Sequence, residues 1–140
     1  MLFFTPEWAK AYCKALNENE NYKDAAGPNG FPPDGWEGDF LFIVEPAGNL
    51  DHEIRMFIGL YHGTCTGARV LAEGEEVETE YEYAGPYDAW VAILNKELDP
   101  IRALLAGKMR LKGDMAKVLK ATRAAQELVV SATMVDTEFY

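Results

Sequence analysis

The sequence is poor in the side chains that most hydrolytic and metal-dependent enzymes use. Its 140 residues include two histidines, two cysteines and a single serine, Ser131. Because there is one serine and no G-x-S-x-G pattern, serine-hydrolase chemistry is nearly excluded. His52 and His62 lie ten positions apart, which on one straight strand is roughly 33 Å, too far to share a metal ion. No motif therefore places a nucleophile, a general base, a metal or another cofactor.

The two cysteines, Cys13 and Cys65, form no C-x-x-C motif and have no histidine at the spacing of a metal site. Cys13 also falls on the apolar stripe of a predicted helix, where a thiol is more often buried than nucleophilic. We interpret both residues as reduced thiols that pack in the core of a cytoplasmic protein.

Basic residues are scarce too, since 13 Lys and Arg oppose 23 Asp and Glu for a net charge of −10. Nucleic-acid partners are not expected, because phosphate binding needs clustered positive charge. No run approaches the ~18 apolar residues of a membrane span. The start, MLFFTPEW, is too short for a signal peptide. We therefore expect a soluble, cytoplasmic protein.

Apolar residues are plentiful, at 49% of the chain, and this indicates a packed core. The length suits one domain spanning residues 1–140. Thr5-Pro6 predicts a capped helix start, and an apolar stripe follows at i, i+3, i+4 and i+7: Ala9, Tyr12, Cys13 and Leu16. This helix is expected to end in NENEN, before a Gly- and Pro-rich loop.

Four strands are predicted next, over residues 39–46, 52–63, 65–73 and 77–84. Their short connections predict an antiparallel meander. In the fourth strand Glu78, Glu80 and Glu82 alternate with apolar residues, which is typical of the solvated face of an edge strand. Tyr81 and Tyr83 lie on its other face. A tyrosine hydroxyl there can hydrogen-bond a ligand, but more often the ring simply packs and the hydroxyl meets water.

The second half of the chain returns to helices. PYDAWVAILNKEL has a helical apolar stripe, and Asp99-Pro100 starts a short helix that ends at Gly107. The stretch GKMRLKGD is neither a Walker loop nor a dinucleotide fingerprint. Its alternation predicts a fifth strand with Met109 and Leu111 facing inward, followed by a helix capped by Asp114.

This stretch is the basic part of an acidic chain. Six of the 13 Lys and Arg lie between residues 108 and 123 with one acidic residue, so the segment carries a charge of about +5. Lys108, Arg110 and Lys112 share the outward face of the predicted strand. Two interpretations stay open: a solvated surface, or contacts to the anionic headgroup of a lipid or to an anionic membrane surface.

A helix restarted at DP and ending ALLAGK, followed by MRLKGDMAKVLK, resembles the sterol carrier protein-2 (SCP-2) family. The resemblance is strongest from about Tyr87 to Leu119. The segments WAKAYCKALNENENYKDAAG and AAQELVVSATMVDTEF resemble stand-alone prokaryotic members. The motif consists of Gly, Lys and apolar residues, so it specifies a fold better than an activity. Unlike some relatives, this chain has no peroxisomal signal at its C-terminus.

The resemblance implies an α+β fold in which a five-stranded, mostly antiparallel sheet is covered by helices and encloses an apolar tunnel for lipid. Carried over by position, it implies eight tunnel residues: Trp90, Leu94, Leu104, Leu105, Met109, Leu111, Met115 and Leu119. Each of them could instead pack a solid core. The expected ligand is a fatty acid, an acyl-CoA or a sterol-like molecule, bound without catalysis and without a cofactor.

Two other functions remain open on the sequence alone. A small α+β enzyme acting on an apolar substrate would need a carboxylate or histidine in the cavity. A ligand-free interaction module would have a packed core without a cavity. The sequence leaves the oligomeric state and the identity of the ligand open.

Overall fold

Six helices and five strands make up the fold in the computed structural model, which describes residues 1–140. The helices are α1 (Pro6–Glu18), α2 (Glu20–Ala26), α3 (Tyr87–Leu94), α4 (Pro100–Leu105), α5 (Met115–Lys120) and α6 (Thr122–Thr133). The strands are β1 (Phe40–Glu45), β2 (Ile54–Tyr61), β3 (Thr64–Val70), β4 (Tyr81–Pro86) and β5 (Arg110–Lys112). None of the helices is long and apolar enough to span a membrane.

The first helix starts as predicted, but the chain does not become a loop at NENEN. Thr5 caps α1, and its side chain accepts a hydrogen bond from the backbone N–H of Trp8. Asn19 then ends α1 and caps α2, accepting from the N–H groups of Asn21 and Tyr22. The prediction missed α2 because it treated the asparagines as helix breakers, whereas Asn19 starts a new helix.

The sheet confirms the predicted class, five strands that are mostly antiparallel, but not the predicted meander. The strand order is β3-β2-β1-β4-β5, and β4 pairs with β1 in parallel. Residues 71–80 carry the chain from the end of β3 back to the start of β1, so that β4 runs in the same direction as β1. Turn signals identify short connections but not which strand a longer connection reaches.

The prediction that the glutamate row lies on an edge strand is also wrong, because it too depended on which strands are neighbours. The fourth strand begins at Tyr81, so Glu78 and Glu80 lie outside it, and it is enclosed between β1 and β5. Glu82 is the one residue of the row within the strand. Its carboxylate lies 3.9 Å from the ammonium of Lys112 on β5.

The cysteines are not free thiols, so the prediction of two reduced cysteines is wrong. Cys13 of α1 and Cys65 of β3 form a disulfide with a Cα–Cα distance of 5.5 Å, which is typical of such bonds. The sequence placed Cys13 on the buried face of α1, but it could not show which strand that face covers. The cysteines consequently give no support to a reducing compartment.

The basic stretch adopts the predicted arrangement. Gly107 follows α4 with φ of 74°, the left-handed conformation common just after a helix. Met109 is buried and Leu111 half-buried, while Lys108, Arg110 and Lys112 are exposed. Asp114 caps α5 by accepting from the N–H of Lys117. The helix then breaks at Ala121, so α5 and α6 are two helices, whereas the sequence predicted one helix after the Asp114 cap.

The helices pack on one face of the sheet. The inward residues of the central strands are apolar and largely aromatic, and they join one buried cluster with the inward residues of α1 and α3. Asn19 and Ser131 are the two buried polar residues, and they hydrogen-bond each other at 3.0 Å. This bond ties the α1–α2 junction to α6. Breaking it would cost stability, because either polar group would then be buried without a partner.

Candidate functional site: an apolar cavity between sheet and helices

An apolar cavity of about 80 Å³ lies between the sheet and the helices. Of the 18 residues that line it, 17 are hydrophobic. Phe40, Phe42 and Tyr83 form its floor on the sheet. Its walls come from every helix except α2, and from Phe4 before α1 and Leu111 on β5. The cavity is therefore the point where nearly all elements of the fold meet.

The polar atoms carried by its aromatic rings are all used by the protein itself. The Tyr12 hydroxyl donates to the carbonyl of Leu128 at 2.9 Å, and the Tyr83 hydroxyl donates to that of Pro100 at 2.8 Å. The Trp90 indole donates to the carbonyl of Ile43 at 3.0 Å. No buried side-chain nitrogen or oxygen lacks a partner. The cavity thus offers a ligand apolar surface and no free hydrogen-bonding group.

The lining also lacks acid–base chemistry. It contains no Asp, Glu, His, Lys, Arg, Ser or Cys. Its tyrosines are neutral, because burial raises the pKa of both the Tyr12 and the Tyr83 hydroxyl. No group of three or more His, Cys, Asp or Glu could hold a metal ion. An arrangement of this kind can bind and shield an apolar molecule.

Comparison with known proteins agrees with this geometry. The profile of the SCP-2 sterol transfer family matches residues 37–126, which is more than half of the chain. The chain belongs to the SCP-2 family. No curated protein matches it.

Solved structures extend the likeness to SCP-2 proteins over almost the whole of this chain. A crystal structure of sterol carrier protein 2 is 33% identical, with 95% of this chain and 98% of that chain covered and a TM-score of 0.80. A solution structure of a Thermus thermophilus protein, described as possibly a sterol carrier protein, is 33% identical, with 99% and 92% covered and a TM-score of 0.83. Palmitated SCP2L2 from Aedes aegypti is 18% identical, with 83% and 92% covered and a TM-score of 0.53. At that identity it supports the fold alone.

In this SCP-2 protein the eight predicted tunnel residues do not all lie at the cavity. Trp90, Leu94, Leu104 and Leu111 line it. Met109 is buried elsewhere, against Gly85 of β4, where a Cβ would meet its sulfur. The remaining three are exposed: Leu105 at 70%, Met115 at 37% and Leu119 at 38%. Whether any of the eight contacts a ligand stays a prediction.

The aromatic residues near the N-terminus were missed as site residues. Phe4, Trp8 and Tyr12 line the cavity, and the ring centroids of Phe4 and Trp90 lie 5.3 Å apart. The apolar stripe of α1 showed that Tyr12 faces inward, but not which part of the core it faces. That information depends on how α1 packs against α6.

The three predicted headgroup residues lie away from the cavity lining. Arg110 forms an ion pair with Glu45 of β1, and Lys112 lies near Glu82, so both sit on the outer face of the sheet. Lys108 is exposed and has no carboxylate partner. Their contact with a lipid headgroup also stays a prediction.

Exposed apolar and basic residues occur on α4, on α5 and on the turn after α4. We name this set the α4–α5 surface: Arg102, Leu105, Lys108, Met115, Leu119 and Lys120. None of its three basic residues has an ion-pair partner. The neighbours Leu104 and Val118 line the cavity from the same two helices, so the surface lies over the cavity wall.

Proposed function

We propose that this protein is a single-domain, non-enzymatic carrier that binds the acyl chain of one lipid, a fatty acid or acyl-CoA, in the apolar cavity. The observation that carries the proposal is the chemistry of the lining, which is hydrophobic and has every polar atom already bonded. A carboxylate or thioester end has no partner inside, so it would remain at the cavity mouth.

The size of the cavity shapes the proposal. Ligand pockets usually measure roughly 300–1,000 Å³, and this cavity measures about 80 Å³. Binding therefore requires the wall to move outward. The sheet floor is held by strand pairing, whereas α4 and α5 have six residues each and are too short to be stable without packing. A flexible acyl chain suits such a cavity better than a rigid sterol, because it can enter segment by segment.

The two alternatives have less support. Catalysis would need an ionisable group that can exchange protons with the substrate, and the lining tyrosines are hydrogen-bonded with raised pKa values. A ligand-free interaction module would not need an apolar void, since a void weakens packing.

Binding is tested with palmitate, chosen because the palmitated mosquito protein shares this fold. The protein is stripped of lipid under denaturing conditions, refolded, mixed with palmitate and studied by native mass spectrometry. We expect a complex of one protein and one palmitate, and displacement of a fluorescent fatty acid in solution. Protein that stays free of ligand in both measurements would contradict the proposal.

We further propose that the α4–α5 surface touches anionic membranes when lipid is exchanged. Exposed leucine and methionine beside unpaired lysine and arginine is the pattern of an interfacial contact. The net charge of −10 opposes a general attraction, so the contact has to be local. Arg110 and Lys112 would contribute less than Lys108, because each has an acidic neighbour.

Charge reversal tests the membrane contact. Replacing Lys108 and Lys120 by glutamate should weaken association with vesicles of anionic phospholipid at low salt by roughly 30-fold or more, since each lysine contributes about 1 kcal/mol and each glutamate adds repulsion. The matched control reverses Lys10 and Lys14, two exposed lysines of α1. Added salt should reduce the difference, because exposed charges are screened beyond ~10 Å at 0.1 M. Equal weakening in both double variants would assign the effect to net charge alone.

A further inference from the structure

The disulfide joins the cavity wall to the edge of the sheet. Cys13 directly follows Tyr12, which lines the cavity together with Trp8 of the same helix. Cys65 lies on β3, the outermost strand on that side. The bond therefore holds the α1 wall at a fixed distance from the sheet, and neither the lipid proposal nor the family assignment gives it a role.

A second, non-covalent link joins the same two elements. Asn17 lies one helical turn after Cys13, and its side chain bonds both backbone groups of Cys65. It accepts from the N–H at 2.8 Å and donates to the carbonyl at 3.0 Å. The Cys65 sulfur also lies 3.6 Å from the carbonyl of Gly67, an acceptor for a thiol. The fold thus has the means to keep α1 near β3 when the bond is open.

We propose that Cys13–Cys65 is a thiol–disulfide exchange site, and that reduction by a dithiol allows the cavity to accept an acyl chain more readily. The inference rests on the proposed function. A thiolate of the dithiol attacks the Cys13 sulfur, because Cys13 is half-buried and Cys65 is buried. The electron pair of the broken S–S bond leaves on Cys65, which takes up a proton. The second thiol of the reductant then displaces Cys13, giving two protein thiols and one oxidised dithiol.

The coupling to lipid follows from the size of the cavity. At about 80 Å³ it has to expand, and α1 is one of the walls that can move. With the disulfide closed, α1 is tied to β3 on one side and to α6 on the other by the Tyr12–Leu128 hydrogen bond. With it open, core packing and hydrogen bonds hold that wall without a covalent tie, so outward movement costs less.

The experiment compares palmitate affinity of the oxidised and the dithiothreitol-reduced protein, with the thiol state of each verified by alkylation and mass spectrometry. We expect the reduced protein to bind palmitate about 5-fold more tightly or more, within the usual range of coupling between sites. A variant with Cys13→Ala and Cys65→Ala should match the reduced form and ignore the reductant. Backbone amides of β1 should exchange hydrogen faster only by the factor that the loss of global stability gives, while those of α1 should exchange faster than that loss explains.

Each contrary result has a distinct meaning. Equal palmitate affinity in both thiol states would overturn the redox inference and leave the proposed lipid function standing. Absence of palmitate binding in both states would overturn the proposed function and the inference with it. Loss of the far-ultraviolet circular dichroism on reduction would show that the bond is needed for folding, and would overturn the exchange role. Free thiols in the air-oxidised protein would show that the disulfide does not form, and would also overturn the exchange role.

Discussion

Reduction of the Cys13–Cys65 disulfide is expected to lower the free energy of unfolding by about 4 kcal/mol. The two cysteines are 52 residues apart, and closing a loop of this length removes that much chain entropy from the unfolded state in the loop-closure treatment. For a domain of this size the loss corresponds to a decrease in Tm of roughly 10–20 °C. Thermal unfolding followed by circular dichroism, with and without reductant, measures it.

The control for this prediction is the variant with Cys13→Ala and Cys65→Ala. Its Tm should be close to that of the reduced protein and should not change when reductant is added. A reduced protein as stable as the oxidised one would mean that the unfolded chain is already compact in this region. Because small domains have only about 5–15 kcal/mol of stability, a loss of this size leaves the reduced fold marginal but populated.

The same disulfide shows where sequence-based prediction reached its limit. Most local signals were interpreted correctly, because caps and alternation involve residues within one turn or one strand; the Asn19 cap and the alternation before Tyr81 are the exceptions. The Thr5-Pro6 and Asp99-Pro100 helix starts and the alternation from Lys108 to Lys112 are examples, and the structure confirms them. Contacts between distant segments were not predictable in this way. The pairing of Cys13 with Cys65 and of β4 with β1 depends on how whole elements pack.

The candidate site shows the same division on a smaller scale. Periodicity showed which residues are apolar, and the family resemblance suggested a tunnel, but neither showed which neighbours face it. Leu104 lines the cavity whereas Leu105 is exposed, because adjacent helical residues differ by about 100° in direction. A six-residue helix contains too few turns to define its buried face from the sequence, so the division between the cavity and the α4–α5 surface required the structure.

Filling the cavity is expected to reduce lipid affinity without loss of the fold. Ala132 of α6 is buried and lines the cavity, and Ala132→Leu adds three carbons to a space of about 80 Å³. If the added carbons displace two methylenes of a bound acyl chain, the loss is about 1.6 kcal/mol, or roughly 10-fold or more in the palmitate Kd. Stability should stay constant or rise, because filling a void improves packing.

The matched control places the same carbons outside the cavity. Ala116 is exposed on α5, so Ala116→Leu adds equal apolar surface without entering the site, and its palmitate Kd should equal that of the unmodified protein. Titration in vesicle-free buffer keeps membrane contact from contributing. If both variants bind palmitate like the unmodified protein while thermal unfolding shows Ala132→Leu to be folded, the acyl chain lies outside this cavity. If Ala132→Leu alone loses affinity, the acyl chain binds between the sheet and α6, because the two variants differ in whether the added leucine enters the cavity.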